Sequence, residues 1–225
     1  MKKNQLALLM LLISFCLSGF SKPEIQKSIG WKPLFGKDLS QAKFDKKCWS
    51  LDKGVITASE DKVIWALGDY ENFLLELEFK TEDGTNSGVI VYCTNQEDWI
   101  PNSVEIQIAD DYCDKWGTAR KDYQCGAIFG HLPANQQKVV KKPGEWNRFQ
   151  ITCKGQIIEV ELNGKKVTAM DMRQWTSGKT NPDGSSIPEW LPKPFAGLPT
   201  KGAIGLQGKH ADATIWFRNM RIKAL

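Results

Sequence analysis

Apolar and polar residues alternate with period two along much of this chain. Side chains on a strand point to opposite faces in turn, so this alternation predicts strands buried on one side. Short candidates come in close succession at Val55–Ala58, Val63–Leu67, Phe73–Lys80, Ser87–Thr94 and Val104–Ala109. Within Phe73–Lys80, Leu75, Leu77 and Phe79 share one face while Glu76 and Glu78 share the other. A loop rich in Asp, Lys and aromatics fills 110–124, and Gly126–Gly130 comes after it. Strand candidates then resume at Arg148–Lys154, Gln156–Leu162, Lys165–Ala169, Gly202–Gln207 and Thr214–Lys223. Asn163-Gly164 between two of them is a strong hairpin signal, because tight hairpin turns need residues that tolerate positive φ. Convincing helical periodicity is missing. Many short strands separated by turn residues predict an all-β fold, an antiparallel two-sheet sandwich of jelly-roll type.

The candidate site starts from one strand. Val104, Ile106 and Ile108 alternate with Glu105, Gln107 and Ala109, and the run ends in Asp110-Asp111. One face is wholly apolar; the other sets a carboxylate and an amide about 6–7 Å apart. Plain solvent exposure accounts equally well for such a face in isolation. Its neighbours, rich in tryptophan, tyrosine, glycine and side-chain amides, favour a binding surface. A second unusual stretch runs from Asp171 to Thr200, with Pro182, Pro188, Pro192, Pro194 and Pro199 beside Trp175 and Trp190. Loops of that length are uncommon and often functional. It reads either as a stiff surface insertion or as a wall or lid beside a groove.

Composition narrows the class. The 225 residues are 41% hydrophobic and 25% charged, the balance of an ordinary globule able to bury a core without a metal or disulfide staple. Residues 29–225 are expected to form one domain. Ahead of them, Lys2-Lys3, an apolar run from Leu6 to Leu17 and small residues at Ser18, Gly19 and Ser21 read as a signal peptide over 1–21. The apolar run is too short to span a bilayer. The expected location is periplasmic or secreted. A lipid anchor at Cys16, giving an outer-surface lipoprotein, is the alternative, although Phe15 is bulky for such a signal. The net charge is +4, two of it from Lys2 and Lys3, and the lysines are scattered, so no nucleic-acid footprint is present. Five cysteines come after Ser21, an odd number that leaves at least one thiol unpaired. Cys113 and Cys125 flank a polar loop and are the pair that a disulfide could join. Nine tryptophans suggest that some line a groove, since tryptophan combines a stacking surface with a polar edge.

Several segments occur in an order that carries a resemblance: Gly30-Trp31-Lys-Pro-Leu-Phe-Gly-Lys-Asp-Leu, Asn86-Ser-Gly-Val-Ile-Val, Glu105-Ile-Gln-Ile, Gly126-Ala-Ile-Phe-Gly130 and Pro143-Gly-Glu-Trp-Asn-Arg148. Leu162-Asn-Gly-Lys-Lys-Val167, Gly202-Ala-Ile-Gly-Leu-Gln207 and Trp216-Phe-Arg-Asn-Met-Arg-Ile222 complete the series. Together they resemble the 3-keto-disaccharide hydrolase family, also described as 3-keto-glucoside 1,2-lyases and hydratases, over essentially all of 29–225. The resemblance implies a concanavalin-like jelly roll and a carbohydrate substrate, an oligosaccharide or glycoside. The family's Asn-Ser-Gly strand commonly ends in arginine where this chain has Tyr92, and its histidine is displaced by one at His210.

A 3-keto group acidifies the hydrogen on C2 of a sugar. A base can remove it, the enolate expels the C1 substituent, and water adding back completes a net hydrolysis. For that chemistry the candidates are Glu105 and His210 as proton-transfer groups, His210 because its unperturbed pKa lies near 6.5. Gln107 and Gln207 are hydroxyl-gripping amides, Trp65, Tyr92 and Trp190 stacking surfaces, and Asp110 an orienting group for His210 or a cation ligand. A divalent cation on Asp110, Asp111 and Glu105 is an open alternative, although their spacing matches no recognised loop. His131 and Arg218 read as structural. Two other accounts stand beside the elimination enzyme: a carbohydrate-binding module, and a conventional glycosidase using Glu105 and Asp110 as its carboxyl pair.

Overall fold

The computed structural model describes residues 30–210 and 212–225. The leader over 1–21 and Cys16 lie outside them. Among these residues thirteen strands form two antiparallel sheets. β1 (Lys32–Pro33), β2 (Ala42–Lys43), β3 (Trp49–Asp52), β4 (Val55–Ala58) and β5 (Ile64–Ala66) come first. β6 (Phe73–Thr81), β7 (Asn86–Cys93) and β8 (Val104–Ala109) are next, then β9 (Trp146–Lys154), β10 (Ile157–Leu162) and β11 (Lys165–Asp171). β12 (Ala203–Leu206) and β13 (Ile215–Ala224) end the chain. The larger sheet runs β11-β10-β9-β6-β13-β4-β3, with β1 also paired to β13; the smaller runs β2-β5-β12-β7-β8. The expected two-sheet jelly roll is what the chain forms, and among the described residues helix is confined to short turns such as Asp114–Gly117.

The core lies between the sheets, where the apolar faces predicted from alternation meet. Leu75, Leu77, Phe79, Phe149, Ile151 and Phe217 from the larger sheet face Val89, Val91, Ile106, Ile108, Ile204 and Leu206 from the smaller, all essentially inaccessible. Phe79 and Phe149 pack with ring centroids 4.8 Å apart. The outer face of the larger sheet is held by ion pairs. Glu76 accepts from Arg148 at 2.7 Å and Arg221 at 2.8 Å. Arg218 donates to Glu78 at 2.6 Å and lies 3.9 Å from the Trp146 ring centroid, the structural role its alternation suggested.

Three expectations are corrected. Tyr92 is not a stacking surface. Ala203 pairs with Cys93 while Gly205 pairs with Ile90, so β7 carries an extra residue here, and Tyr92 takes φ +57°. This bulge breaks the two-residue period and turns Tyr92 into the core, edge-to-face on Phe73, its hydroxyl donating to Gly155 O at 2.8 Å. Asp110 is neither a substrate group nor a partner of His210. It is buried, and its carboxylate accepts from the backbone N–H of Gly84 at 3.0 Å and of Tyr112 at 3.0 Å, clamping two loops. Cys113 and Cys125 carry free thiols rather than a disulfide; the Cys113 sulfur instead caps the helical turn, accepting from Trp116 N at 3.5 Å.

The proline-rich stretch is ordered. Trp175 is buried and donates to Asn181 Oδ1 at 2.9 Å, and Ile187, Leu191 and Phe195 are buried with it. A Cβ on Gly130 would stand 2.6 Å from Leu191 Cδ1, so the stretch packs on the segment that runs alongside β8. Trp190 is 56% exposed.

Candidate functional site

The outer face of the smaller sheet gathers the site. Strand register places Trp65, Gly205, Ile90 and Glu105 in one row across β5, β12, β7 and β8. Phe129 extends that row, its N–H donating to Glu105 O at 3.0 Å. Gly88 and Gln107 are paired in the next row. Gln207 joins it where its N–H donates to Gly88 O at 2.9 Å. Trp65, Ile90, Cys93 and Ala203 form an apolar cluster separate from the main core, flanked by Val63 and Trp99. Glycine is required where this face is tightest. A Cβ on Gly205 would stand 2.6 Å from the Trp65 ring, and one on Gly88 would stand 2.8 Å from Glu105 Cδ. The carboxyl of Glu105 therefore lies across the bare backbone of β7.

That placement decides its electrostatics. Burial against the sheet, reinforced by the nearby charge of Asp61, pushes the Glu105 carboxyl up to about 8. Removing a carboxylate from water penalises the charged form, and a like charge adds to the penalty. Glu105 is thus protonated at neutral pH and can donate a proton.

His210 reaches the same face. Gly208 fits against the 60–62 turn, where a Cβ would stand 2.6 Å from Lys62 O, and Lys209 N donates to Glu60 O at 2.9 Å. These contacts bring His210 Nδ1 to 2.5 Å from Asp61 Oδ2. A carboxylate accepts, so Nδ1 carries the hydrogen, and Nε2 is the nitrogen that holds a lone pair whenever the ring is neutral. Asp61, not Asp110, orients the histidine. A depression of about 340 Å³ is lined by Asp61, Val63, Trp65, Trp99, Gln207 and His210.

The other sequence candidates divide. Gln207 stands on this face as expected. Gln107 is 1% exposed, and its Nε2 donates to Asn86 Oδ1 at 2.8 Å, so it holds Asn86 in place instead of offering an open amide. Trp65 floors the depression with little of its ring open. Trp190 does not line it. Asp111 lies with Asp110 in the loop clamp, its Oδ1 accepting from Cys125 N at 2.9 Å, which separates the two aspartates from Glu105. Among the described residues no group of three His, Cys, Asp or Glu side chains is placed to hold a metal ion, and no helix is long and apolar enough to cross a membrane. His131 is buried, stacked 3.8 Å from Phe195, and burial pushes its pKa down to about 4. Sequence reasoning missed Asp61, Asn86 and Trp99. Asn86 opens the Asn-Ser-Gly strand and was legible there; Asp61 sits in an unremarkable polar turn 149 residues from its partner.

Residues 30–223 match the model of the 3-keto-alpha-glucoside-1,2-lyase-like domain family. The chain belongs to this family. A 3-keto-disaccharide hydrolase of Bacteroides thetaiotaomicron is 28% identical over 87% of this chain and 74% of its own length. A Parabacteroides distasonis protein of known crystal structure, provisionally designated a glycosyl hydrolase, is 65% identical with a TM-score of 0.86, covering 87% of this chain and 99% of that one. A Bacillus subtilis protein of galectin-like fold, 11% identical with a TM-score of 0.53, covers 86% of this chain and 94% of its own; that likeness shows the jelly roll alone. Within the 3-keto-alpha-glucoside-1,2-lyase-like family, the matched span contains every residue of the face described above.

Proposed function

We propose that this chain is an exported enzyme that cleaves 3-keto-glycosides by elimination across C1–C2 followed by rehydration. The observation that carries the reading is the pairing, on one sheet face, of a carboxyl held protonated near neutrality with a histidine whose free nitrogen is a base. His210 Nε2 takes the proton from C2, and the C2–H electrons form the enolate on the 3-keto oxygen. The enolate collapses to a C1=C2 bond as the C1–O bond breaks, and Glu105 gives its proton to the departing alkoxide. In the second half Glu105, now a carboxylate, takes a proton from water as its oxygen adds to C1. His210 returns its proton to C2, so the net change is hydrolysis and both groups are regenerated. Gln207, the amide beside Gly88, is the donor available to the enolate oxygen. Positioned proton transfer contributes typically about 10²–10⁴-fold and stabilisation of the developing charge more.

The family match and the named hydrolase relative support a carbohydrate substrate, and the face supports this route over a classical carboxylate pair. Asp110, the expected second acid of a glucanase-like site, is committed to backbone N–H groups, and Asp61, the acid that does reach the face, is committed to His210. The test compares a glucoside with its 3-keto derivative, with and without a chelator. Cleavage confined to the 3-keto sugar is expected. Equal rates on both would refute elimination, and binding without turnover of either would favour a carbohydrate-binding module.

A further inference from the structure

The larger sheet carries a cleft of its own, on the side of the sandwich away from Glu105 and His210. One edge of β13 is shared by two short strands: Trp216–Arg218 pair with β4, whereas Arg221 and Ile222 pair with β1. Between those pairings β13 bulges. Its register against β6 shifts between Arg218 and Arg221, and Asn219 takes φ +53°. A bulge interrupts the ladder and re-aims side chains, and the seam here opens into a cleft of about 590 Å³. Buried Leu39, Ile56 and Leu77 form its apolar lining together with Met220. Its charged lining is four cations, Lys32, Lys37, Arg148 and Arg221, and two carboxylates, Glu76 and Glu78. Both carboxylates are already engaged. Glu76 accepts from Arg148 Nη2 at 2.7 Å on one oxygen and from Arg221 Nε at 2.8 Å on the other. Glu78 accepts from Arg218 and Asn219. The cleft therefore keeps a surplus of positive charge beside an apolar wall.

We propose that this cleft is a second ligand site, for an amphipathic monocarboxylate: a planar apolar ring bearing one acid group. The cleft's volume lies within the roughly 300–1,000 Å³ usual for small-molecule sites, which set a few polar groups in an apolar lining. The ring covers Leu39, Leu77 and Met220 beside Trp31, and the acid group meets Arg148 and Lys37. Arg148 is prepared for that contact. It is 56% exposed and uses one nitrogen on Glu76, which leaves the hydrogens of its other two nitrogens for a ligand carboxylate. Arg221 is fixed between Glu76 and the Trp31 ring, 4.6 Å from its centroid, so the indole is held at the edge of the cleft. A neutral sugar suits the site less well. The aliphatic lining offers its hydroxyls no partner, and the carboxylates that would accept from them are taken by guanidinium groups. The inference is independent of the elimination reading, because no residue of this cleft belongs to the Glu105 and His210 face.

The experiment measures binding to the folded chain by equilibrium dialysis with four probes. These are 2-naphthoate, 2-naphthamide (the ring without the charge), acetate (the charge without the ring) and inorganic phosphate. One equivalent of 2-naphthoate should bind saturably, and each of the other three at least about ten-fold more weakly. Arg148→Gln should weaken 2-naphthoate by about ten-fold, the size of one hydrogen bond between charged groups. Lys37→Gln should weaken it by about three-fold, as for an exposed ion pair. Lys37 is exposed and outside the Glu76 and Glu78 pairs, so this variant keeps the test decisive even where Arg148→Gln lowers stability. His210→Ala should bind 2-naphthoate as the wild type does. Equal affinity for 2-naphthoate and 2-naphthamide would show that the cations read no acid group, and phosphate binding as tightly as 2-naphthoate would reduce the cleft to a general anion patch. Either result overturns the proposal. So does the absence of saturable binding, or a loss confined to His210→Ala, which would place the ligand on the sugar face.

Discussion

Replacing Glu105 by Gln tests the electrostatics of the site through stability and activity together. In the unfolded chain this carboxyl ionises near 4.5, whereas on the folded sheet face it does so at about 8. Between those values the native state binds the extra proton, so wild-type stability falls as pH rises through the window. Each pH unit corresponds to about 1.4 kcal/mol, and the full window to about 5 kcal/mol. Relaxation of solvent around the half-buried side chain reduces this to about 3 kcal/mol. Glutamine has nearly the same shape, stays neutral and titrates nowhere in this range. Urea unfolding at pH 5 and pH 8 should therefore show Glu105→Gln gaining about 3 kcal/mol on the wild type at the higher pH. Turnover should fall by about 10²–10⁴-fold, and the wild type's alkaline limb near pH 8 should be absent from the residual activity. Parallel stability curves for the two proteins would show that Glu105 is not held protonated, and the assignment of it as proton donor would fail.

Asp61→Asn should lower kcat by about ten-fold or more with KM little changed, because it removes the carboxylate that fixes the His210 tautomer; unchanged kcat would dissociate that pair from the chemistry. Gly88→Ala places a methyl group where the Glu105 carboxyl lies, so kcat should fall and its alkaline limb should shift, read from a pH–rate profile. Tyr92→Phe should cost about 1–2 kcal/mol in chemical denaturation, the loss of a buried hydrogen bond to Gly155 O, with kcat/KM unchanged. A reductant should leave the melting temperature unaltered, since Cys113 and Cys125 are not joined.

Alternation and turn chemistry made most of the fold legible. Val104–Ala109 runs over the predicted residues, and Leu75, Leu77 and Phe79 enter the core together. The strands left unpredicted, Lys32–Pro33, Ala42–Lys43 and Trp49–Asp52, are two to four residues long and take their shape from neighbouring strands, not from any period of their own. Tyr92 shows where the rule breaks. One bulge residue inverts the facing of the strand beyond it, and nothing local to the sequence announces it. Glu105 and Gln207 were legible because polar groups on alternating strands must face away from the core. Asp61 was not, because its position depends on two backbone contacts made by Gly208 and Lys209, far along the chain. Asp110 misled for a related reason: adjacent acids read as a ligand cluster when their partners are backbone N–H groups that carry no sequence signature.

The central claim is that C2 of the sugar gives up its hydrogen during cleavage. The direct measurement is turnover of a 3-keto-glycoside in deuterium oxide, with the product sugar examined by NMR. Elimination and rehydration predict deuterium at C2 of the released 3-keto sugar, together with slowed cleavage when C2 carries deuterium at the start in ordinary water. A product that keeps its original hydrogen at C2, released at an isotope-independent rate, would contradict the account.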